Sequence, residues 1–526
     1  MKLEAIDWEQ DLLLDTDEVY RSLVRSLRRT DGFSLLFVRC SPIQGKQIIT
    51  DVGNDLKDKN IKILELEESI DNLYDRIAAL DDLDRLNILF IKGIEQSIFA
   101  YEDREVHDIN LRSRSLQYGG TWQNVPRVLG HLNLSRERFR DNFKFCIVFL
   151  LPEFALRYFI RRAPDFFDWR SNIYDFPTEK SLVDQEAFRL VYLDGSFDEY
   201  QQQTNEQRIA KLCQIKSYID ESSDATRTSE LWFQKGLIHL ATKEYEEAIA
   251  SFDQSLQIKP DNDYAWNSRG ALLCDHLGKY EEAIASFDRA LQIKPDLHEA
   301  CYNRGVALGE LGKYEEAIAS YDRVLQFKPD YHEAWYNRGI ALGNLGRYEE
   351  AIASYDRALQ IKPDDHQAWY NRGIAVFNLG RYEEAIASYD RALQIKPDDH
   401  QAWNNRGIAL NDLGRYEEAI ASYDRALQIK PDYHQAWNNR GIALGNLGRY
   451  EEAIASYDRA LQIKPDLYEA WGNKACAYSL QNQIELALEN LQKAIQLDPE
   501  KNREMAKTDS DFDNIRHDPR FQALIQ

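Results

Sequence analysis

The chain has 526 residues, too long for one ordinary core, and its 44% hydrophobic and 12% aromatic content describes a folded protein. Its net charge of −23 divides into −5 over residues 1–183 and −18 beyond, a field that repels phosphate backbones and argues against nucleic acid as a partner of the C-terminal part. Six cysteines without C-x-x-C spacing exclude a disulfide framework, and the most apolar run, FCIVFLLPEFALRYFI, contains Pro152, Glu153 and Arg157 and is too short to span a bilayer.

The start, MKLEAIDWEQ, lacks the grammar of a signal peptide, so the expected location is the cytoplasm, with no membrane partner. Residues 1–180 alternate apolar runs of strand length with amphipathic helices. FSLLFVRC (33–40) precedes a helix from Gly45, IKILELE (61–67) a helix from Ser69, and LNILFIKG (86–93) a long segment ending near Asn142. FCIVFLL (145–151) leads into the helix PEFALRYFIRRAPDFFDWR, and NIYDFP (172–177) closes the series. Five strands with helical crossovers predict an α/β domain built on a doubly wound parallel sheet.

The first crossover carries the stretch FVRCSPIQGKQII. Gly45 and Lys46 match the end of G-x-x-x-x-G-K-[ST], but Cys40 stands for the first glycine and Gln47 for the Ser/Thr. The layout resembles the P-loop NTPase module of bacterial signal-transduction ATPases, which implies phosphates at Gly45 and Lys46. Three parts of that chemistry are missing. Pro42 removes a backbone donor, Gln47 has no hydroxyl for Mg²⁺, and Lys92 stands where the third strand should end in a metal-orienting Asp. Glu95 is either a residual acid or a solvated residue. The expectation is a degenerate P-loop-like domain without hydrolysis, holding either no cofactor or a metal-free nucleotide on Lys46 and Lys92. No His/Cys/Asp spacing points to a metal and no nucleophile elbow occurs, so the chain reads as no enzyme.

Residues 181–228 read as a helical linker able to dock on the repeats that begin at 229. From 229 to 500 one unit recurs eight times, anchored by Trp232, Trp266, Trp335, Trp369, Trp403, Trp437 and Trp471, with Cys301 in the third copy. The step is 34 residues, or 35 after Trp266. Each unit reads helix, turn, helix. Gly312, Gly346, Gly380, Gly414 and Gly448 break the chain between helices, and a proline such as Pro363 stops each second helix. Trp335, Gly339, Tyr348, Ala351 and Pro363 carry a close resemblance to the tetratricopeptide repeat family. That resemblance implies an all-α right-handed superhelix whose inner groove binds proteins or peptides. The last unit decays, with Ala475 for the glycine and Ile484 for the tyrosine, and 501–526 reads as a capping helix.

Function falls to residues that packing does not claim. Trp335 and Gly339 are i and i+4 and share a face, while Asn337 lies about 200° around the axis. Its equivalents are Asn303, Asn371, Asn405, Asn439 and Asn473, with Glu333, Gln367, Gln401 and Gln435 on the same face. An amide donates and accepts, so it can pair with any peptide backbone. The row resembles the asparagine ladder of O-linked N-acetylglucosamine transferases, which holds extended peptides. The alternative is that repeat duplication copied the asparagine without selection for binding. The arginines three after each tryptophan, such as Arg338 and Arg372, read as stems packed between repeats with their guanidinium groups on neighbouring carboxylates. The expected function is a scaffold for a protein or unstructured peptide; the alternative is a nucleotide-dependent switch with the repeats as sensor. Partner identity and oligomeric state are not legible.

Overall fold

The computed structural model describes residues 15–99, 125–176, 196–222 and 224–526. The chain divides into two compact units, Met1–Gly278 and Lys279–Gln526.

In the first unit, β1 (Ser34–Arg39), β2 (Ile61–Glu65), β3 (Ile88–Lys92), β4 (Cys146–Leu151) and β5 (Asn172–Asp175) form one sheet in the order β2-β3-β4-β1-β5. Every pairing is parallel, with Ser34 opposite Cys146 and Leu36 opposite Asn172. The strands are apolar on both faces because both are covered. Leu35 and Phe37 of β1 join Leu89, Ile91, Ile147 and Phe149 in one core, while Leu36 and Val38 join Ile88, Phe90, Cys146 and Val148 in the other. The helices Thr16–Arg29 and Pro42–Asp55 cover the second face; Leu73–Ala78, Arg127–Asn142 and Glu153–Arg162 cover the first. This is the α/β architecture expected. The crossover after β1 and the one after β4 run on opposite faces although the two strands are neighbours, so a crevice opens at their C-terminal ends.

Two helices precede the repeats. Phe197–Gln202 and Asn205–Glu221 each start in a capping box, Ser196 with Glu199 and Thr204 with Gln207. Tyr200, Leu212, Ile215 and Tyr218 pack with Leu231 and Ile238 of the first repeat helix, and Tyr200 Oη donates to Gln234 Oε1 at 2.9 Å.

Eight helix pairs follow, from Ala225–Ala241 with Tyr245–Ile258 to Tyr468–Leu480 with Ile484–Leu497. The turn glycines take positive φ, 71° at Gly312 and 74° at Gly346, and Arg347 N–H returns to Leu342 O at 2.9 Å, the closure of a Schellman motif. Where the first and last pairs lack that glycine, Lys243 and Asn482 adopt the same left-handed conformation, at 65° and 58°. From Trp266 on, each anchor tryptophan holds the proline just beyond the preceding second helix: Trp369 Nε1 donates to Pro363 O at 3.0 Å, and Trp403 to Pro397 O likewise. The glycine four beyond the tryptophan is a contact site. A Cβ on Gly339 would lie 2.5 Å from Tyr355 Cε1, and one on Gly373 2.6 Å from Tyr389 Cε1.

The C-terminal cap is two helices and a turn rather than one helix. Pro499–Thr508 and Pro519–Ile525 flank a 3-10 turn at Ser510–Phe512, because Asp509 and Asp518 each accept a backbone N–H and restart the chain, the latter ahead of a proline at the first helical position. Phe512, Ile515, Phe521 and Ile525 bury Leu488 and Leu491 of the last pair.

Candidate functional site

Within Lys279–Gln526, the first helix of each pair touches the first helix of the next, as His332–Asn344 touches His366–Asn378, whereas successive second helices approach less. The first helices therefore line the inner, concave wall. On that wall the asparagine row is not a set of isolated amides. Asn337 Nδ2 donates to Tyr302 Oη at 2.9 Å, Asn371 to Tyr336 Oη at 3.0 Å and Asn405 to Tyr370 Oη at 3.0 Å. Asn439 donates to Asn404 Oδ1 at 3.2 Å and Asn473 to Asn438 Oδ1 at 3.1 Å, so the pattern persists where asparagine replaces the tyrosine. Each of these five amides clasps the residue that follows the anchor position in the preceding repeat, whereas half-buried Asn303, at the head of the row, shows no such bond. The row expected to stand clear of all packing is half-buried and joins neighbouring repeats, with one amide hydrogen committed and its carbonyl oxygen facing no partner at Asn337 and Asn371. Burial and Asp399 push the Tyr370 hydroxyl up to about 12, and burial and Asp365 raise Tyr336, so both remain protonated hydroxyls.

The arginines behind this wall are staples. Arg338 Nε meets Asp322 Oδ1 of the preceding second helix at 2.6 Å, and its Nη1 donates to Ser354 Oγ of the following one at 2.7 Å. Arg304, Arg372, Arg406 and Arg440 repeat both contacts, and Lys474 holds Asp458 at 2.6 Å in the last pair. The expected pairing with neighbouring carboxylates is what the geometry shows, and no basic rail faces the groove from these positions.

Comparison with known proteins agrees with this geometry. Tetratricopeptide repeat family models match residues 302–366, 344–400 and 370–434, a second such model 229–262, 434–467 and 468–501, and a TPR repeat model 276–312. Residues 229–262 and 276–501 are thus matched as tetratricopeptide repeats. Similar solved structures include YrrB, described as a TPR protein with an unusual peptide-binding site, at 23% identity over 35% of this chain and 95% of its own, TM-score 0.33. A tetratricopeptide repeat protein from Parabacteroides merdae is 20% identical over 47% of this chain and 97% of its own, TM-score 0.36. MamA from Desulfovibrio magneticus RS-1 is 21% identical over 33% of this chain and 97% of its own, TM-score 0.32. The chain matches no curated protein. Among the described residues, no helix is long and apolar enough to cross a membrane.

Sequence reasoning missed the tyrosine clasp in the tetratricopeptide repeats. Its trace was present, since Tyr302, Tyr336 and Tyr370 follow the anchor position directly, but the partner lies 35 residues away. Also unforeseen was which aromatic covers the glycine four beyond the anchor: over Gly339 it is Tyr355, seven residues beyond the motif tyrosine Tyr348.

The crevice of the α/β unit differs from the expected phosphate loop. Its helix begins at Pro42, not Gly45, leaving only Cys40 and Ser41 after β1. Ser41 Oγ accepts from Gln44 N–H at 3.3 Å, and Gln44 Oε1 accepts from Ser41 N–H at 3.0 Å, so the helix supplies its own cap. Gly45 sits in the first turn, donates to Ser41 O at 2.9 Å, and is small where a Cβ would meet Cys40 Sγ and Leu150 at 3.4 Å. Lys46 is exposed, and Lys92 Nζ is held by Glu65 at 2.7 Å. A cavity of about 760 Å³ nonetheless opens here, lined by Lys46, Lys92, Glu95, Gln96, Pro152 and Cys213 among others. One carboxylate oxygen of Glu95 is buried without a partner. Burial lifts this acid to about 7 against the opposing pull of backbone N–H groups and Lys92.

Proposed function

We propose that the chain is a non-enzymatic scaffold whose tetratricopeptide groove holds an extended segment of a partner protein. The row Asn303, Asn337, Asn371, Asn405, Asn439 and Asn473 would carry it. In this reading 1–180 is a P-loop-like domain without hydrolytic chemistry, 181–228 a helical linker and 501–526 a cap, working in the cytoplasm without nucleic acid. The observation that supports it is the repeated inner-wall amide, fixed in rotamer by the preceding repeat and offering its carbonyl at one orientation per repeat. Packed helices lie about 8–10 Å apart and an extended peptide rises roughly 3.3 Å per residue, so about one rung serves three ligand residues.

The test is a peptide selected from a random display library on the full chain, then titrated against Asn337→Ala/Asn371→Ala/Asn405→Ala/Asn439→Ala. Affinity should fall by more than about tenfold, from backbone contacts of roughly 0.5–1.5 kcal/mol each. Some loss of stability accompanies it, because each clasp to the preceding repeat also goes. Unchanged affinity in a folded variant would reduce the row to an inter-repeat bond and nothing more.

For the α/β unit the self-capped helix and the Lys92–Glu65 pair argue against phosphate chemistry at Gly45 and Lys46. Calorimetric titration with ATP should show no gain in affinity on adding Mg²⁺, and no turnover above background. Magnesium-dependent micromolar binding abolished by Lys46→Ala would instead favour a nucleotide switch.

A further inference from the structure

The inner wall has a charge as well as a ladder. Among the described residues, each first helix from His298–Glu310 to Tyr468–Leu480 contains a single Arg or Lys, at the position three beyond the anchor. Every one of those cations is spent on an aspartate of the preceding second helix. Histidines aside, the other charged side chains of these first helices and of their N-caps are acidic. Glu299 and Glu333 lie two residues before the anchor, Glu310 and Asp412 nine after it, and Asp365 and Asp399 cap the helices that follow them. The histidines of this face lean on the same acids, His298 at 3.0 Å from Glu299 and His332 at 2.8 Å from Glu333. The amides deepen the bias. Asn378 and Asn446, on the neighbouring row, also donate their nitrogens internally, to Ile374 O at 2.9 Å and Asn411 Oδ1 at 3.3 Å.

We propose that the inner wall selects an extended segment rich in Arg or Lys over neutral or acidic ones, an inference that rests on the peptide-groove reading above. Carboxylates and amide carbonyls aligned along the wall accept hydrogen bonds from guanidinium or ammonium groups and attract them at a distance. An acidic segment meets repulsion and unpaired carbonyls.

The repeats themselves supply the variant that tests this. Glu333→Gln reproduces Gln367, Asp412→Asn reproduces Asn344, and Asp365→Asn and Asp399→Asn reproduce Asn262, an asparagine that caps its own helix by accepting from Ala265 N–H. All four changes remove charge and keep a side chain that another repeat already carries there. Fluorescence anisotropy on the full chain at pH 8 uses labelled (Gly-Ser-Arg)4, (Gly-Ser-Gln)4 and (Gly-Ser-Glu)4. The arginine peptide should bind at least about tenfold more tightly than the glutamine peptide, with an affinity that falls as salt rises, and the glutamate peptide should not bind. In the fourfold variant the arginine peptide should fall to the glutamine peptide's affinity. Glu333→Gln/Asp412→Asn, which touches no helix cap, should show a smaller shift of the same sign. Equal affinity for the arginine and glutamine peptides would overturn the selection and leave the groove standing. Arginine-peptide binding untouched by either variant would place it elsewhere on the acidic surface and overturn the selection, and no binding by any peptide would remove groove and selection together.

Discussion

Gly373→Ala should speed hydrogen exchange in the helix Tyr382–Ile395 by about 5- to 150-fold, the equivalent of 1–3 kcal/mol of overpacking. The new methyl would sit 2.6 Å from Cε1 of Tyr389, a ring that is only 1% exposed and has nowhere to retreat. Tyr389→Leu alone should also accelerate exchange, through the volume it vacates. Together the two changes should cost less than their sum. The last repeat already carries that pair, Ala475 with Leu491, both fully buried. Exchange measured by mass spectrometry on the full chain reads the local effect without requiring one global transition. A double variant whose losses simply add would show that ring and glycine do not contact each other as described.

Arg372→Ala should destabilise the same region by about 2–3 kcal/mol, more than a surface ion pair would. Its side chain is 14% exposed and bridges Asp356 at 2.6 Å, Glu384 at 2.7 Å and Ser388 at 2.7 Å. Removing it leaves two partly exposed carboxylates unneutralised on neighbouring helices and takes the donor from buried Ser388. Arg372→Lys should retain part of the loss, since an ammonium reaches one aspartate, as Lys474 reaches Asp458, but cannot fork. Exchange in both Tyr348–Ile361 and Tyr382–Ile395 should respond, because the guanidinium joins them. Acceleration confined to the helix that bears Arg372 would contradict the bridge.

The tetratricopeptide fold was legible because its determinants are local and repeated. Turn glycines, stopping prolines and the 34-residue step each act over a few residues, and Gly346 and its equivalents take the left-handed φ that this position demands. The sheet was legible for the same reason, its strands being apolar runs between turn signals. Lys243 was invisible as a left-handed residue because the helix pair, not its own preference, imposes the conformation, whereas Asn482 is a residue type that takes it readily. The Asn371–Tyr336 clasp depends on two helices meeting, which no spacing within one helix announces. The helix start at Pro42 was readable and was overlooked: Ser-Pro-x-Gln is a cap, a first-turn proline and a capping-box partner, a stronger local instruction than the Gly-Lys pair three residues later.

The second helices at 348–361, 382–395, 416–429 and 450–463 are letter for letter the same, YEEAIASYDRALQI. The second-helix side of every joint among them is thus the same, and the first helices between them differ at only a few positions, as Tyr370 does from Asn404. The two extremities are closed differently, one by Tyr200, Leu212 and Tyr218, the other by Phe512 and Phe521. Those end pieces decide where stacking begins and stops, while the stretch between them carries no address of its own. Splicing in or cutting out one 34-residue copy between 348 and 463 therefore leaves the second-helix side of each joint unchanged. Length becomes a dial that recombination between identical segments can turn in either direction, one notch at a time.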